Sequence, residues 1–524
     1  MTRRLEARYL QCAARIHAAL RDTIARRVIP SGRLSTVERV ACAALLATAL
    51  VSVSGWWTTL SRVAGGADSY GYVSESQLLR HGSLIDRPAA DVLLPFDRPY
   101  ALAVAAPLGY TASLSADGIV PIYPAGLPAL MALATLVAGP DGPFYVAPIM
   151  GVIGLLIAFL LSRTWFDVLT SCLAVTFIAW NPLYVAYAKQ PMSDVPAAVA
   201  LMAAVWLVMR RQSSPMTAGL VAGAAFLIRP ALAGGCAVLG PAALYRCGPR
   251  GALRYGATFA PAVLLQAVLH QVLYGHPLQS GYGSPATLFS WKMLPTNVVI
   301  YGHWLVLSHG IVWTAALAAG LALTRPRAPR IGAAALFVSV ALPYLLYFEF
   351  DHWETLRFVL PGLLVLTIVA ASGVTRTFER WGSWVAVAGV VVCGAGVAYE
   401  ANRWLERHGT WRLAQVEEKY PLLARWIAQS TAPDAVVMAF QHSGSIRYYA
   451  GRQTIRWDAL RSEDLIPAVR HFQARGVSVF AVLEGVELGQ FQDRFRSELD
   501  RVDLLPAGQA RGVIVVELRV RASG

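Results

Sequence analysis

Apolar runs separated by short polar or basic segments repeat along the first 400 positions of the chain. About 20 apolar residues in helical form cross a bilayer. Runs of that kind occupy 39–60, 144–162, 168–188, 193–210, 255–273, 298–323, 331–349, 358–375 and 382–400. The run 216–245 contains Arg229-Pro230. Proline lacks the N–H and clashes with the preceding turn, which predicts two short helices, 216–229 and 231–245. Segment 122–139, IYPAGLPALMALATLVAG, carries two prolines and a glycine near its start. It reads equally as a span or as a helix lying along the membrane.

Arginines choose between these options. With 122–139 not crossing and 216–245 crossing twice, MRRQSSP, YRCGPRGALR, TRPRAPR and TRTFER fall on one side with the N-terminal tail. Short loops rich in Lys and Arg stay cytoplasmic. The expectation is therefore about eleven transmembrane helices, an inner N-terminus and a large outer loop over 61–143. Residues 1–38 carry Leu5, Tyr9, Ile16, Leu20, Ile24 and Val28 at helical spacing between arginines. This reads as a basic amphipathic segment on the cytoplasmic leaflet, or equally as a solvated helix. The span-bearing domain covers 39–400. From 401 to 524 the pattern changes: AVVMAF (435–440), VSVFAVL (477–483) and GVIVVEL (512–518) read as buried strands, and 462–476 and 486–499 as amphipathic helices. Alternation of this kind predicts a soluble α/β domain, extracytoplasmic by the same count. It contains no phosphate-binding glycine fingerprint.

Composition agrees with a membrane class. Of 524 residues 56% are hydrophobic and 15% charged, against roughly 25% charged in soluble domains. The net charge of +14 is almost wholly arginine, spread over short loops rather than gathered into one patch, which argues against nucleic-acid binding. The six cysteines show no close pairing of a zinc or redox site.

The expected outer face collects Asp68, Asp194, Arg229, Lys292, Asp351, His352, Glu354 and Arg357. Ionisable groups at membrane depth are costly and mark function by default. Each has a plainer reading. Asp68 reads also as a helix cap, Ser193-Asp194 as an N-cap before Pro196, and Arg229 as a snorkelling residue. Tyr70, Tyr72, Trp291 and Trp353 suit sugar stacking or an interfacial aromatic belt. No His/Asp spacing demands a metal.

Six pieces in order carry a resemblance: ADSYGY, PIYPAGLPALMAL, YVAYAKQPMSDVPAAVA, GAAFLIRPALA, WETLRFVLPGLLVL and RYYAGRQTIRW. The chain resembles the membrane-embedded GT-C glycosyltransferases, the superfamily of protein O-mannosyltransferases and lipid A aminoarabinose transferases. Asp68 is followed by Ser69, where many relatives carry two adjacent acids. The resemblance implies a GT-C-like helical membrane domain that moves a hexose or pentose from a polyprenyl-phosphate sugar to an envelope acceptor. That acceptor is a glycolipid, polysaccharide or protein on the outer face of the cytoplasmic membrane. It implies no cofactor beyond the lipid-linked donor. It implies Asp68 and Asp194 as catalytic carboxylates, and Arg229, Arg357, Lys292 and Lys189 as donor-phosphate ligands. Tyr70, Tyr72 and Glu354 are then substrate contacts. Two other classes fit the hydropathy: a transporter or flippase, which would carry internal repeats and mid-span charges, and a scaffold that displays the C-terminal domain.

Overall fold

The computed structural model describes residues 34–88 and 93–521. The basic segment expected over 1–38 therefore lies almost wholly outside the described residues. The first helix, α1 (Thr36–Thr58), is opened by a capping box in which Ser35 Oγ accepts from Glu38 N and Glu38 reaches back to Ser35 N. Helix α2 (Asp68–Arg80) and α3 (Arg98–Ala105) follow, then a hairpin of β1 (Tyr110–Ala112) and β2 (Ile119–Pro121). Next comes α4 (Gly126–Ala138), whose 13 residues span about 20 Å at 1.5 Å per residue. That is short of the ~30 Å hydrocarbon core. Gly139 turns the chain with φ of 68°, and α4 folds back along α5 (Gly142–Trp165).

Helices α6 (Val168–Ala179) and α7 (Pro182–Ala188) meet at a 61° bend. Asn181 makes the bend, since its Oδ1 accepts from Leu183 N and Tyr184 N ahead of a proline at the first helical position. Helices α8 (Asp194–Met209) and α9 (Pro215–Ile228) are short and apolar. Arg229 is extended, and α10 (Ala233–Tyr274) begins after the turn at 230–232. The expected break at Arg229-Pro230 is thus present. A second break, at Gly248 (φ 69°, ψ −172°), divides α10. Helix α11 (Leu294–Leu323) is broken at Gly310 (φ 79°, ψ 174°), where Glu400 accepts from Val312 N at 3.1 Å. Helices α12 (Arg327–Leu345), α13 (Leu360–Phe378) and α14 (Ser383–Arg407) complete the bundle. Helix α13 is apolar all round and packs on α6, α8, α11, α12 and α14, so it forms the bundle's centre.

Among the described residues seven helices are long and apolar enough to cross a membrane, or eight if the bent α6–α7 pair counts as one span. The expected eleven included the two segments now seen as α8 and α9, which at 16 and 14 residues fall short of that length.

The C-terminal part carries α15 (Lys419–Ser430), β3 (Val436–Ala439), α16 (Ser443–Ala450), β4 (Gln453–Ile455), α17 (Leu465–Gln473), β5 (Val479–Glu484), α18 (Glu487–Arg494), β6 (Val502–Ala510) and β7 (Val513–Val520). Its sheet runs β4-β3-β5-β7-β6, parallel across the first three strands and antiparallel across the last three. Helices α17 and α18 cover one face, α15 and α16 the other. Residues of the first loop enter this core: Leu94 and Val104 are buried in it, and Tyr100 OH donates to Asp464 at 2.8 Å. Loop and domain form a continuous structure at one end of the bundle.

Candidate active site

The bend GGADSYGY places Asp68 at the first position of α2. Gly65 passes so close to the domain that a Cβ there would lie 2.4 Å from the Tyr420 ring and 2.7 Å from Glu417 Oε2. Asp68 makes no capping bond to its helix. Its Oδ2 pairs with Arg357 Nη2 at 2.9 Å, and its Oδ1 accepts from Tyr123 OH at 2.7 Å. The helix N-terminus adds favourable positive potential. Asp68 retains 29% side-chain exposure and Arg357 24%.

A second pair lies beside the first. Arg229 Nη2 donates to Asp194 Oδ1 at 2.7 Å and to Ser193 Oγ at 3.3 Å, while Nη1 reaches the Arg357 carbonyl at 3.4 Å. Asp194 is fully buried, and its Oδ2 has no hydrogen-bond partner among the described residues. The expected N-cap at Ser193-Asp194 does not form, since no side-chain capping bond is made at the start of α8. Both arginines lie over the Phe358 ring, at 5.9 and 5.2 Å, and Arg357 also lies 5.5 Å from the Tyr187 centroid. Tyr72 OH donates to Ser193 Oγ at 2.8 Å and its ring packs 4.6 Å from Tyr123. The breaks around Arg229 and the 3-10 turn Trp353–Val359 bring these groups together. Irregular backbone of that kind at membrane depth lines a cavity or is buried in protein.

The structure therefore joins Asp68, Asp194, Arg229, Arg357 and Tyr72. Three expected residues lie apart. Lys189 is fully buried and bonds Thr59 Oγ1 and the Thr410 carbonyl. Lys292 is exposed, and its side chain touches none of the group among the described residues. Tyr70 faces the opposite side of α2, against Tyr110 and Gly444. Glu354 sits exposed at the rim beside His352, and only its carbonyl enters, accepting from Tyr187 OH at 3.5 Å. Tyr123, Tyr187 and Phe358 were not singled out by sequence, and Ser193 was read only as part of an N-cap. Tyr123 stood inside the quoted PIYPAG motif, but a tyrosine there reads as an interfacial anchor. Among the described residues no group of three or more His, Cys, Asp and Glu side chains is placed to hold a metal ion.

Below the bend, His442 Nε2 and Lys419 Nζ hold Glu484 at 2.8 and 2.7 Å. Their hydrogen bonds, His442 first, pull its carboxyl down to about 2 despite burial. Burial pushes neighbouring Glu417 up to about 7.

No protein-family model matches the chain, and no curated protein matches it in sequence. Solved structures match its fold. ArnT from Cupriavidus metallidurans in the apo state superposes with a TM-score of 0.56 at 13% identity, over 91% of this chain and 98% of that one. ArnT bound to undecaprenyl phosphate gives 0.54 at 12%, over 90% and 97%. The apo oligosaccharyltransferase of Archaeoglobus fulgidus gives 0.52 at 14%, over 85% of this chain and 69% of that one. Arabinofuranosyltransferase AftD from Mycobacteria gives 0.52 at 13%, over 94% of this chain and 40% of that larger one. The chain has the GT-C fold that its ordered motifs imply, shared with these three glycosyltransferases.

Proposed function

We propose that the chain is an integral-membrane glycosyltransferase that moves a sugar from a polyprenyl-phosphate donor to an envelope acceptor on the outer face of the cytoplasmic membrane. One observation carries this reading: the Asp68–Arg357 and Asp194–Arg229 pairs meet in one place, inside a fold that in ArnT binds undecaprenyl phosphate. The donor phosphate needs cations, and guanidinium groups grip it bidentately. Arg357 takes the phosphate oxygens and loosens its hold on Asp68. Asp68 Oδ2 then accepts the proton of the acceptor hydroxyl as that oxygen bonds to the anomeric carbon. The bond from that carbon to the phosphate oxygen breaks, and its electron pair leaves on the lipid phosphate. Asp194, with no exposure, holds Arg229 in position rather than meeting substrate. Tyr123 fixes the Asp68 carboxylate through Oδ1. Tyr72 orients Ser193, which in turn is an acceptor for Arg229.

The test incubates purified protein with a panel of polyprenyl-phosphate hexoses and pentoses and follows release of the carrier phosphate by mass spectrometry. Positioned proton transfer contributes about 10²–10⁴-fold, so Asp68→Asn is expected to bind donor but turn over at least about a hundredfold more slowly. Full activity in Asp68→Asn rejects Asp68 as base, and no release from any donor rejects the transferase reading.

A further inference from the structure

Helix α2 has two polar faces. Asp68 and Tyr72 face the ion-paired group. Tyr70, Ser74, Gln77 and His81, spaced by three and four residues, form another face and line a cavity of about 450 Å³. Its far wall is α16 and the turn into β4, with Arg447 and Tyr448. The size falls within the range of small-ligand sites, roughly 300–1,000 Å³.

The lining mixes apolar surface with a built set of polar groups. Ser74 Oγ and Tyr110 OH lie 2.8 Å apart, Gln77 Nε2 donates to Tyr448 OH at 3.3 Å, and Arg447 bridges Asp86 at 3.4 Å and Gln453 at 3.2 Å. Amide, guanidinium and carboxylate groups are planar and present paired donors or acceptors, a geometry that matches adjacent sugar hydroxyls. Tyr448 is half-buried and offers a ring beside them. Leu78 and Pro88 are the aliphatic members of the lining, and the rings of Tyr70, Tyr110 and Tyr448 supply the aromatic surface against which sugar C–H faces pack.

We infer that this cavity binds the saccharide part of the acceptor, so the acceptor carries a glycan. The inference rests on the transferase reading for the word acceptor, while the binding itself does not. Along α2, at 1.5 Å per residue, Ser74 lies about 9 Å and His81 about 20 Å from Asp68.

The experiment applies the purified full chain, in nanodiscs, to an array of neutral and acidic oligosaccharides and, in parallel, to a peptide array. Binding to oligosaccharides is expected. It should weaken at least tenfold in Gln77→Trp, which fills the cavity, and also weaken in Gln77→Ala. Gln77 is exposed, and melting curves for both variants show whether the fold survives. Absence of oligosaccharide binding, binding unchanged in both Gln77 variants, or binding to peptides alone overturns the inference. Glycan binding without donor cleavage sinks the transferase reading and leaves the cavity's ligand class standing. Donor cleavage without glycan binding does the reverse.

Discussion

Arg229 is the residue on which the site's charge balance turns. Its partner Asp194 is buried with one oxygen already unpartnered. Removing one member of a buried pair costs about 3–5 kcal/mol, because the other charge is left uncompensated. Arg229→Ala is therefore expected to lower the melting temperature sharply as well as weaken donor binding. The double variant Arg229→Ala/Asp194→Ala should recover much of the stability and none of the donor affinity, and a thermal melt beside a donor titration reads both. Recovery of both would make Arg229 purely structural. Glu417 gives a pH-dependent case. Burial raises its carboxyl to about 7, against ~4.3 in an unfolded chain. The protonated form therefore favours the fold below about pH 4.3, and that contribution is lost as pH rises through about 7. Glu417→Gln should raise stability at pH 8 by on the order of 1–3 kcal/mol, discounted for partial exposure, and change little at pH 4. Thermal melts at the two pH values check this, and an equal effect at both would refute it. Glu484 runs the opposite way: its stabilisation is present above ~pH 4.3 and fades as pH falls toward about 2. Asp68, Asp194, Arg229 and Arg357 were legible because a charge beside an apolar run has few explanations, but the same rule also picked Lys189, Lys292 and Glu354, whose side chains lie outside that group. Tyr123 was not, because polar neutral residues at an interface have many explanations, and Ser193 was legible only as a helix cap.

At the scale of elements, hydropathy located most of the helices and, in the C-terminal domain, the strands β3, β5 and β7, but missed β4 and β6 there and the short hairpin β1–β2 in the first loop. Strand β4 is three residues long, and β6 carries Pro506 and Gly508 at a register shift, so neither presents a clean alternation. The break at Gly310 was hidden, since one glycine in a long apolar run leaves the average unchanged, whereas Gly248 falls in the basic segment YRCGPRGALR already read as a loop between two helices. Gly310 nevertheless occupies backbone space that is essentially glycine's own. A Cβ there would lie 2.3 Å from Glu400 Oε2, the group that caps the second half of α11. Gly310→Ala should destabilise more than Glu400→Ala, for which loss of a capping bond costs about 0.5–2 kcal/mol. Melting temperatures in detergent rank the two, and the opposite order would show that the break is not held by this contact.

For the whole molecule, the first loop and the C-terminal domain lie at the end of the bundle where Asp68 and Arg357 meet. The basic loops hold the other end: Arg246 donates to the Met209 and Arg210 carbonyls, and Arg330 to those of Leu321 and Ala322. Cytoplasmic arginine-rich loops would turn the site outward, which is the orientation we propose. Val486→Cys, at a position 77% exposed in the domain, should react with a membrane-impermeant maleimide in intact cells. Gln212→Cys should react only after lysis, and the converse pattern would invert the orientation. The relative placement of these ends was legible in the arginine spacing, whereas the interlock of loop and domain was not, because it depends on contacts between residues over 300 positions apart. Lys189 adds a mechanical consequence. Its ammonium is sealed from water, bonds Thr59 at the end of α1 and the Thr410 carbonyl beyond α14, and lies 5.3 Å from the centre of the Trp411 ring. It works as a rivet through three segments. Pulling the turn at Thr410 away from the bundle would strip a buried amine of its acceptors, so the chain enters the C-terminal domain from a point pinned to the bundle.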